Sequence, residues 1–144
     1  MKRSKYKFSV DGYPPKKDGA SSMWGKDTEF KRLVELRLTT LQAMNGQKPL
    51  KSDIKLNLKI YVGQVNDKST GDLDNFITGI CDGLMAAAKR SSLHEDWDKP
   101  EYIDIHPRNT IAIVDDSQVI SIQAEKVTEE ANNPHYVVTI EGNE

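Results

Sequence analysis

Two short acidic motifs contain the residues best suited to chemistry. The first is Gly71-Asp72-Leu73-Asp74-Asn75, which opens a helical pattern, and the second is Val114-Asp115-Asp116-Ser117-Gln118-Val119. Hard divalent cations such as Mg²⁺ are held by a few carboxylate oxygens while the phosphates of a substrate complete the shell. If the two motifs converge in the fold, they predict a metal-dependent enzyme that acts on phosphodiesters. If they do not, they are only a helix cap and a turn.

Each of these acids also has a purely structural interpretation. Asp72 or Asp74 could be an N-cap, because a carboxylate accepts hydrogen bonds from the free N–H groups of a first helical turn. Asp115 and Asp116 could form a hairpin turn, where Asp is common. Two aspartates followed by Asn75 exceed what one cap requires, and a strand end can present ligands from a rigid support. The sequence leaves both interpretations open.

The other polar candidates point less clearly to chemistry. Asp74, Thr78 and Asp82 follow one another at four-residue intervals, so they should rise along one edge of a helix. Asp82 could be a plain helix residue or could support a metal ligand. The three histidines lack ligand spacing, and the single Cys81 predicts a small buried residue rather than a disulfide. The sequence contains no nucleophile triad pattern, Walker loop or dinucleotide fingerprint.

The composition is that of an ordinary folded domain. The chain has 144 residues, enough for one domain to bury a core without disulfides. Hydrophobic residues make up 37% and charged residues 29%, which is typical of a globular rather than a disordered chain. No apolar stretch approaches a membrane span, and residues 1–7 lack the apolar core of a signal peptide. A cytoplasmic location without a membrane partner is therefore expected.

The net charge of −2 conceals a strong asymmetry along the chain. Residues 1–55 contain thirteen Lys and Arg against six Asp and Glu, whereas residues 56–144 contain seven against sixteen. A basic front half can neutralise phosphates and an acidic back half can hold cations. Two differently decorated solvated faces would give the same asymmetry, so charge supports a phosphate-containing partner only in combination with the acidic motifs.

Hydrophobic periodicity predicts the elements that must position these residues. A first strand is expected at 6–10, and a helix should run from Asp27 or Thr28 to about Met44, ending at Asn45-Gly46. Its apolar stripe is predicted to contain Phe30, Val34, Leu38 and Leu41, with Leu33 beside them. Residues 54–62 alternate apolar and polar side chains without a break, which is the clearest strand pattern in the chain.

The second half of the chain is predicted to complete one domain spanning residues 1–144. A second helix should present Leu73, Ile77, Ile80, Leu84 and Ala88 as its apolar face. Residues 90–109 are aperiodic and suggest a loop excursion, followed by strands at 111–114 and 119–127 and a last strand at 136–140 that closes the sheet. The predicted fold class is α+β, with a mixed sheet of about four to five strands and two main helices packed on it.

The order of these motifs resembles the RusA-type Holliday-junction resolvases over roughly residues 6–126. The matching features, in order, are a strand, the loop Tyr13-Pro14-Pro15-Lys16, a helix, a strand, Asp72-Leu73-Asp74-Asn75, a helix with Asp82-Gly83-Leu84, and Asp115-Asp116-Ser117-Gln118-Val119. The resemblance implies a homodimer that binds four-way DNA junctions and cuts them with Mg²⁺ or Mn²⁺. It places the three essential acids on Asp72, Asp74 and Asp116. Asp115 could be a further metal ligand, could accept the proton of the attacking water, or could shape the turn.

Several lysines are candidates for contact with DNA. Lys16, Lys17 and Lys26 would contact DNA backbone, contacts that contribute affinity but little sequence information. The family usually has a lysine on the helix after the aspartate pair, where this chain has Thr78. Lys68 or Lys126 could supply that charge in space, and both are further candidates for contact with nucleic acid.

Three functions follow as hypotheses. The first is an endonuclease of DNA recombination and repair that resolves branched DNA by hydrolysis. The second is a DNA-binding protein of the same fold that does not cut, for which Thr78 would be the signature. The third is a small structural or interaction protein whose acidic motifs are helix caps and turns.

Overall fold

The part of the chain that the structure describes contains four strands and two long helices. The computed structural model describes residues 3–17, 22–63, 72–128 and 133–143. In chain order the long elements are β1 (Arg3–Asp11), α1 (Asp27–Met44), β2 (Ile54–Val62), α2 (Leu73–Gly83), β3 (Val119–Thr128) and β4 (His135–Asn143). These bounds confirm the α+β prediction of a mixed sheet with two main helices.

The sheet has the strand order β1-β4-β2-β3. β4 pairs antiparallel with both β1 and β2, whereas β2 and β3 run parallel and α2 lies in the connection between them. The prediction that the last strand closes the sheet was wrong, because β4 lies between two other strands. Its alternate residues Tyr136, Val138 and Ile140 are fully buried, as a central strand requires.

The core lies between the sheet and the helices. Every second residue of β2 is buried, as the alternation predicts, and these residues pack with Phe76 and Ile80 of α2. α2 ends at Gly83, so Leu84 caps it in the core and Ala88 lies beyond the helix on the surface. Phe76, rather than Ala88, completes the apolar face of α2.

Helix α1 has the predicted bounds but a different buried face. It ends in a left-handed Asn45 (φ 49°), as the Asn-Gly pair predicts. Leu38, predicted in the stripe, is 41% exposed, while Phe30, Val34 and Leu41 are only partly buried. The fully buried face of α1 comprises Glu29, Leu33, Leu36, Arg37, Thr40 and Met44. The buried face includes two charged residues, so hydrophobicity alone does not locate it.

Residues 90–109, the predicted excursion, contribute to a second, smaller core. Two 3₁₀ helices, Glu95–Asp98 and Pro100–Ile105, pack against α1. Trp97 and Ile105 are buried there with Trp24, and the ring of Phe30 meets that of Trp97 edge-on with centroids 4.7 Å apart. The predicted strand at 111–114 is also absent as a ladder, since Ile113 makes only an isolated bridge with Leu50.

Arg37 connects the two cores through five hydrogen bonds. Its guanidinium is fully buried and donates to the carbonyl oxygens of Gly83, Met85, Ile105, His106 and Asn109 at 2.7–2.8 Å. Burial lowers the pKa of Arg37 to about 9, so the group stays charged at neutral pH. This one side chain ties α1 to the end of α2 and to the turn at 105–109.

Within the described part of the chain, no helix combines the length and the apolar character needed to cross a membrane.

Candidate acidic site

The first acidic motif lies at the start of α2. Asp72 occupies the N-cap position in an extended conformation, but its side chain makes no capping hydrogen bond. Asp72 and Asp74 are both exposed. The N-cap interpretation therefore does not account for Asp72, and both carboxylates are accessible to a ligand. Gly71, the first residue of the motif, lies outside the described residues.

The second motif forms a capped turn before β3. Asp115 accepts a hydrogen bond from the Ser117 N–H at 3.2 Å and forms a capping box with Gln118 around the 3₁₀ turn Asp116–Gln118. The buried Gln118 side chain accepts from the N–H groups of Val114 and Asp115 and donates to the carbonyls of Leu50 and Ser52 at 2.8–2.9 Å. Asp115 thus shapes the turn, while Asp116 is exposed beside it.

The two adjacent carboxyl groups of this turn influence one another. Hydrogen bonds, first from the Ser117 backbone and then from Asp116, lower the pKa of Asp115. The hydrogen bond with Asp115 and the repulsion from its charge raise the pKa of Asp116, and the charge of Asp82 adds to this. Asp116 therefore lies where negative charge is concentrated, which favours a bound cation.

The structure brings Asp116 to the C-terminal half of α2. Asp116 and Asp82 both act on Cys81, whose pKa rises to about 11 mainly through burial and then through these two charges. Asp82 belongs to the edge of α2 that also contains Asp74 and Thr78, as the four-residue spacing predicted. The sequence suggested only a supporting role for Asp82, and its proximity to Asp116 is a feature of the tertiary structure.

The described carboxylates do not form a preassembled metal site. Asp74 and Asp82 are separated by about 12 Å along the helix axis at a rise of about 1.5 Å per residue. Among the residues that the structure describes, no group of three or more His, Cys, Asp or Glu side chains is placed to hold a metal ion. Convergence of Asp72, Asp74 and Asp116 on one cation therefore stays a prediction.

Lys17 lies at the edge of α2 that contains Asp74, Thr78 and Asp82, which we call the acidic edge. Its ammonium Nζ is 3.1 Å from Oδ2 of Asp82. Thr78, one turn earlier, uses its hydroxyl to donate to the carbonyl of Asp74 at 3.1 Å. Lys17 rather than Thr78 thus provides positive charge at this edge.

The other predicted basic residues lie on different segments of the chain. Lys126 is on β3 in register with Ile60, about 23 Å along the strand from Val119 at about 3.3 Å per residue. Lys126 therefore lies toward the opposite end of β3 from Asp116. Lys16 lies beside Lys17, and Lys26 follows the short turn Met23–Gly25. Lys68 is not among the described residues.

A cleft adjoins the acidic edge of α2. Its volume is about 910 Å³, and it lies between the turn at 22–26 and the segment 85–92. Lys17 and Asp82 line its wall, together with Lys26 and Arg90. Three cationic side chains and the carboxylate of Asp82 therefore line the same cleft.

Comparison of the chain with protein-family models and with curated proteins finds no match.

Proposed function

We propose that the chain is a metal-dependent endodeoxyribonuclease that hydrolyses phosphodiester bonds in branched DNA such as Holliday junctions. The observation that supports it most is the electrostatic interaction of Asp116 with Asp82, which links the second acidic motif to the helix that begins at the first. The uncapped, exposed Asp72 supports the same proposal, because a purely structural cap would engage its carboxylate.

The donor chemistry of these residues suits Mg²⁺ or Mn²⁺. Carboxylate oxygens are hard ligands, and Mg²⁺ in phosphoryl-transfer sites is commonly bound through one or two carboxylates plus substrate phosphates and water. A protein group of three assembled ligands is therefore not required before DNA is bound. Asp72, Asp74 and Asp116 would hold the cation. When bound, it would supply Lewis acidity at the scissile phosphate and a lowered pKa for an attacking water.

The other residues of the site have distinct roles in this proposal. Asp115 and Gln118 fix the turn that presents Asp116. Lys16, Lys17 and Lys26 contact the DNA backbone, which sets affinity and its dependence on salt. A two-fold homodimer places two such sites on the two strands of a symmetric junction. A cytoplasmic location belongs to the same proposal.

A DNA-binding protein of this fold that does not cut is the second candidate. The back-bonded Thr78, and the lack of an assembled three-ligand group among the described residues, both favour it over an enzyme with a preformed metal site. The basic wall of the cleft would serve either function.

The test is incubation of a synthetic four-way junction with the protein and Mg²⁺ or Mn²⁺, comparing the parent with Asp74→Asn. That substitution keeps the shape of the side chain and removes its charge. Symmetric nicking by the parent, with a loss of about 100-fold or more in Asp74→Asn, supports the nuclease. Binding without nicking by both proteins favours the second candidate. A parent that neither binds nor cuts the junction refutes both.

A further inference from the structure

The loop that contains Lys17 is packed directly on α2. A Cβ atom added to Gly79 would lie 2.0 Å from the carbonyl oxygen of Pro15 and 2.9 Å from the Cα of Lys16, so only glycine permits this approach. The Lys17 N–H donates to the carbonyl of Asn75 at 3.2 Å. Backbone contact at two successive turns of α2 therefore fixes the position of Lys17.

Helix α1 holds the same loop from the other side. Glu29 is only 3% exposed, and its carboxylate accepts a hydrogen bond from the Lys16 N–H at 2.9 Å. Arg32 forms an ion pair with Glu29 at 3.7 Å and lies over the ring of Tyr13 at 5.5 Å. A buried carboxylate that binds a loop N–H is a costly arrangement for an ordinary surface loop, and here it stabilises the backbone next to Lys17.

The anchored lysine faces both the acidic edge and the cleft. Its ammonium contacts Asp82, yet the Lys17 side chain remains 49% exposed and both residues line the cleft. An exposed ion pair of this kind contributes little to stability. An ammonium has three donors, so contact with one carboxylate leaves donors for an incoming phosphate oxygen.

We infer that Lys17 is the residue that binds the scissile phosphate, supplied by the loop after β1 and held in place by Gly79 and Glu29. This inference rests on the proposed nuclease function of the same site. A lysine fixed on the helix that carries the proposed metal ligands can neutralise one phosphate oxygen, while those ligands would hold a divalent cation on another. The role of Lys17 therefore differs from that of an ordinary contact with the DNA backbone.

The test compares the parent with Lys17→Met, Lys17→Arg and Gly79→Ala, and uses Lys48→Met as the matched control. Lys48 is exposed in the connection between α1 and β2, so its substitution makes the same charge change elsewhere. Two quantities are measured on a synthetic four-way junction. One is the binding constant in EDTA over a series of salt concentrations, and the other is the single-turnover cleavage rate with Mg²⁺ at saturating protein.

Lys17→Met should cut about 100-fold more slowly, as expected for loss of one preorganised donor, without a change in melting temperature. The slope of the logarithm of its binding constant against the logarithm of salt concentration should become less steep by about one. Lys17→Arg should recover most of the rate. Gly79→Ala should lose rate although it keeps every charge, because the added methyl group displaces the loop. Lys48→Met should cut at the parent rate.

The outcomes separate this inference from the function on which it rests. A parent that cuts, together with a Lys17→Met variant that cuts equally fast with an unchanged slope, overturns the inference and leaves the nuclease intact. A parent that binds but does not cut, with a reduced slope in Lys17→Met, supports the phosphate contact and overturns the nuclease. A parent that does not bind the junction overturns both.

Discussion

Replacement of Arg37 by Met should destabilise the protein more than any other single change of a charged residue described above. Met retains most of the side-chain volume but removes all five hydrogen bonds to backbone carbonyls. It also removes the contact of the guanidinium with the Trp24 ring, 5.0 Å from the ring centroid. The five acceptors lie in two separate segments, 83–85 and 105–109, so a single substitution weakens the packing of α2 and the second core together.

The magnitude follows from two opposing terms. Hydrogen bonds from a charged donor contribute about 1.5–3 kcal/mol each, which would give a large sum for five. Desolvation of the buried guanidinium offsets several kcal/mol of that sum. We expect a net loss of about 3–5 kcal/mol, the range found when one partner of a buried charged network is removed. For a domain of this size that corresponds to a fall in melting temperature of roughly 10–15 °C.

The assay is urea unfolding followed by tryptophan fluorescence and circular dichroism. Trp24 and Trp97 lie in the second core, so fluorescence reports the region that Arg37 supports. Arg37→Lys should lose an intermediate amount, because an ammonium has three donors and no planar fork. The control is Arg3→Met, since the Arg3 side chain is 72% exposed and its ion pair with Glu141 lies on the surface. An Arg37→Met variant as stable as this control would refute the assignment of Arg37 as the link between the two cores.

Three further substitutions or modifications test other parts of the structure. Gln118→Ala should cost about 2–3 kcal/mol of unfolding free energy in the same urea assay, because it leaves the carbonyls of Leu50 and Ser52 without their side-chain donor; a neutral result would contradict the proposed support of the turn. Leu58→Ala, at a fully buried position of β2, should cost about 3–5 kcal/mol by calorimetry, and a cost below about 1 kcal/mol would mean that the core does not centre on this strand. Burial raises the pKa of the Cys81 thiol from 9.0 to about 11, so its reactive thiolate forms only as the pH rises toward 11. At pH 8 the folded protein should therefore react with iodoacetamide about 100-fold more slowly than the protein unfolded in urea. Equal rates in the folded and unfolded protein would show that the thiol is not buried.

Local patterns predicted the elements whose residues depend mainly on their neighbours in sequence. The strict alternation of β2 gave both its bounds and its buried face, because one face of that strand meets the core along its whole length. The end of α1 followed from Asn45-Gly46, whose left-handed conformations terminate a helix. In contrast, the buried face of α1 was mispredicted, since Arg37 and Glu29 are stabilised there by partners far away in sequence.

For the acidic site, the sequence by itself determined the residue types, the spacing of Asp74, Thr78 and Asp82 along one helix edge, and the turn that presents Asp116. Only the tertiary structure decided that Asp116 approaches Asp82 and that Lys17 reaches the same edge. The physical reason is that these contacts depend on how α2 packs on the sheet and on a loop approach that Gly79 permits. Neither the packing nor that approach is encoded in the periodicity of a single segment.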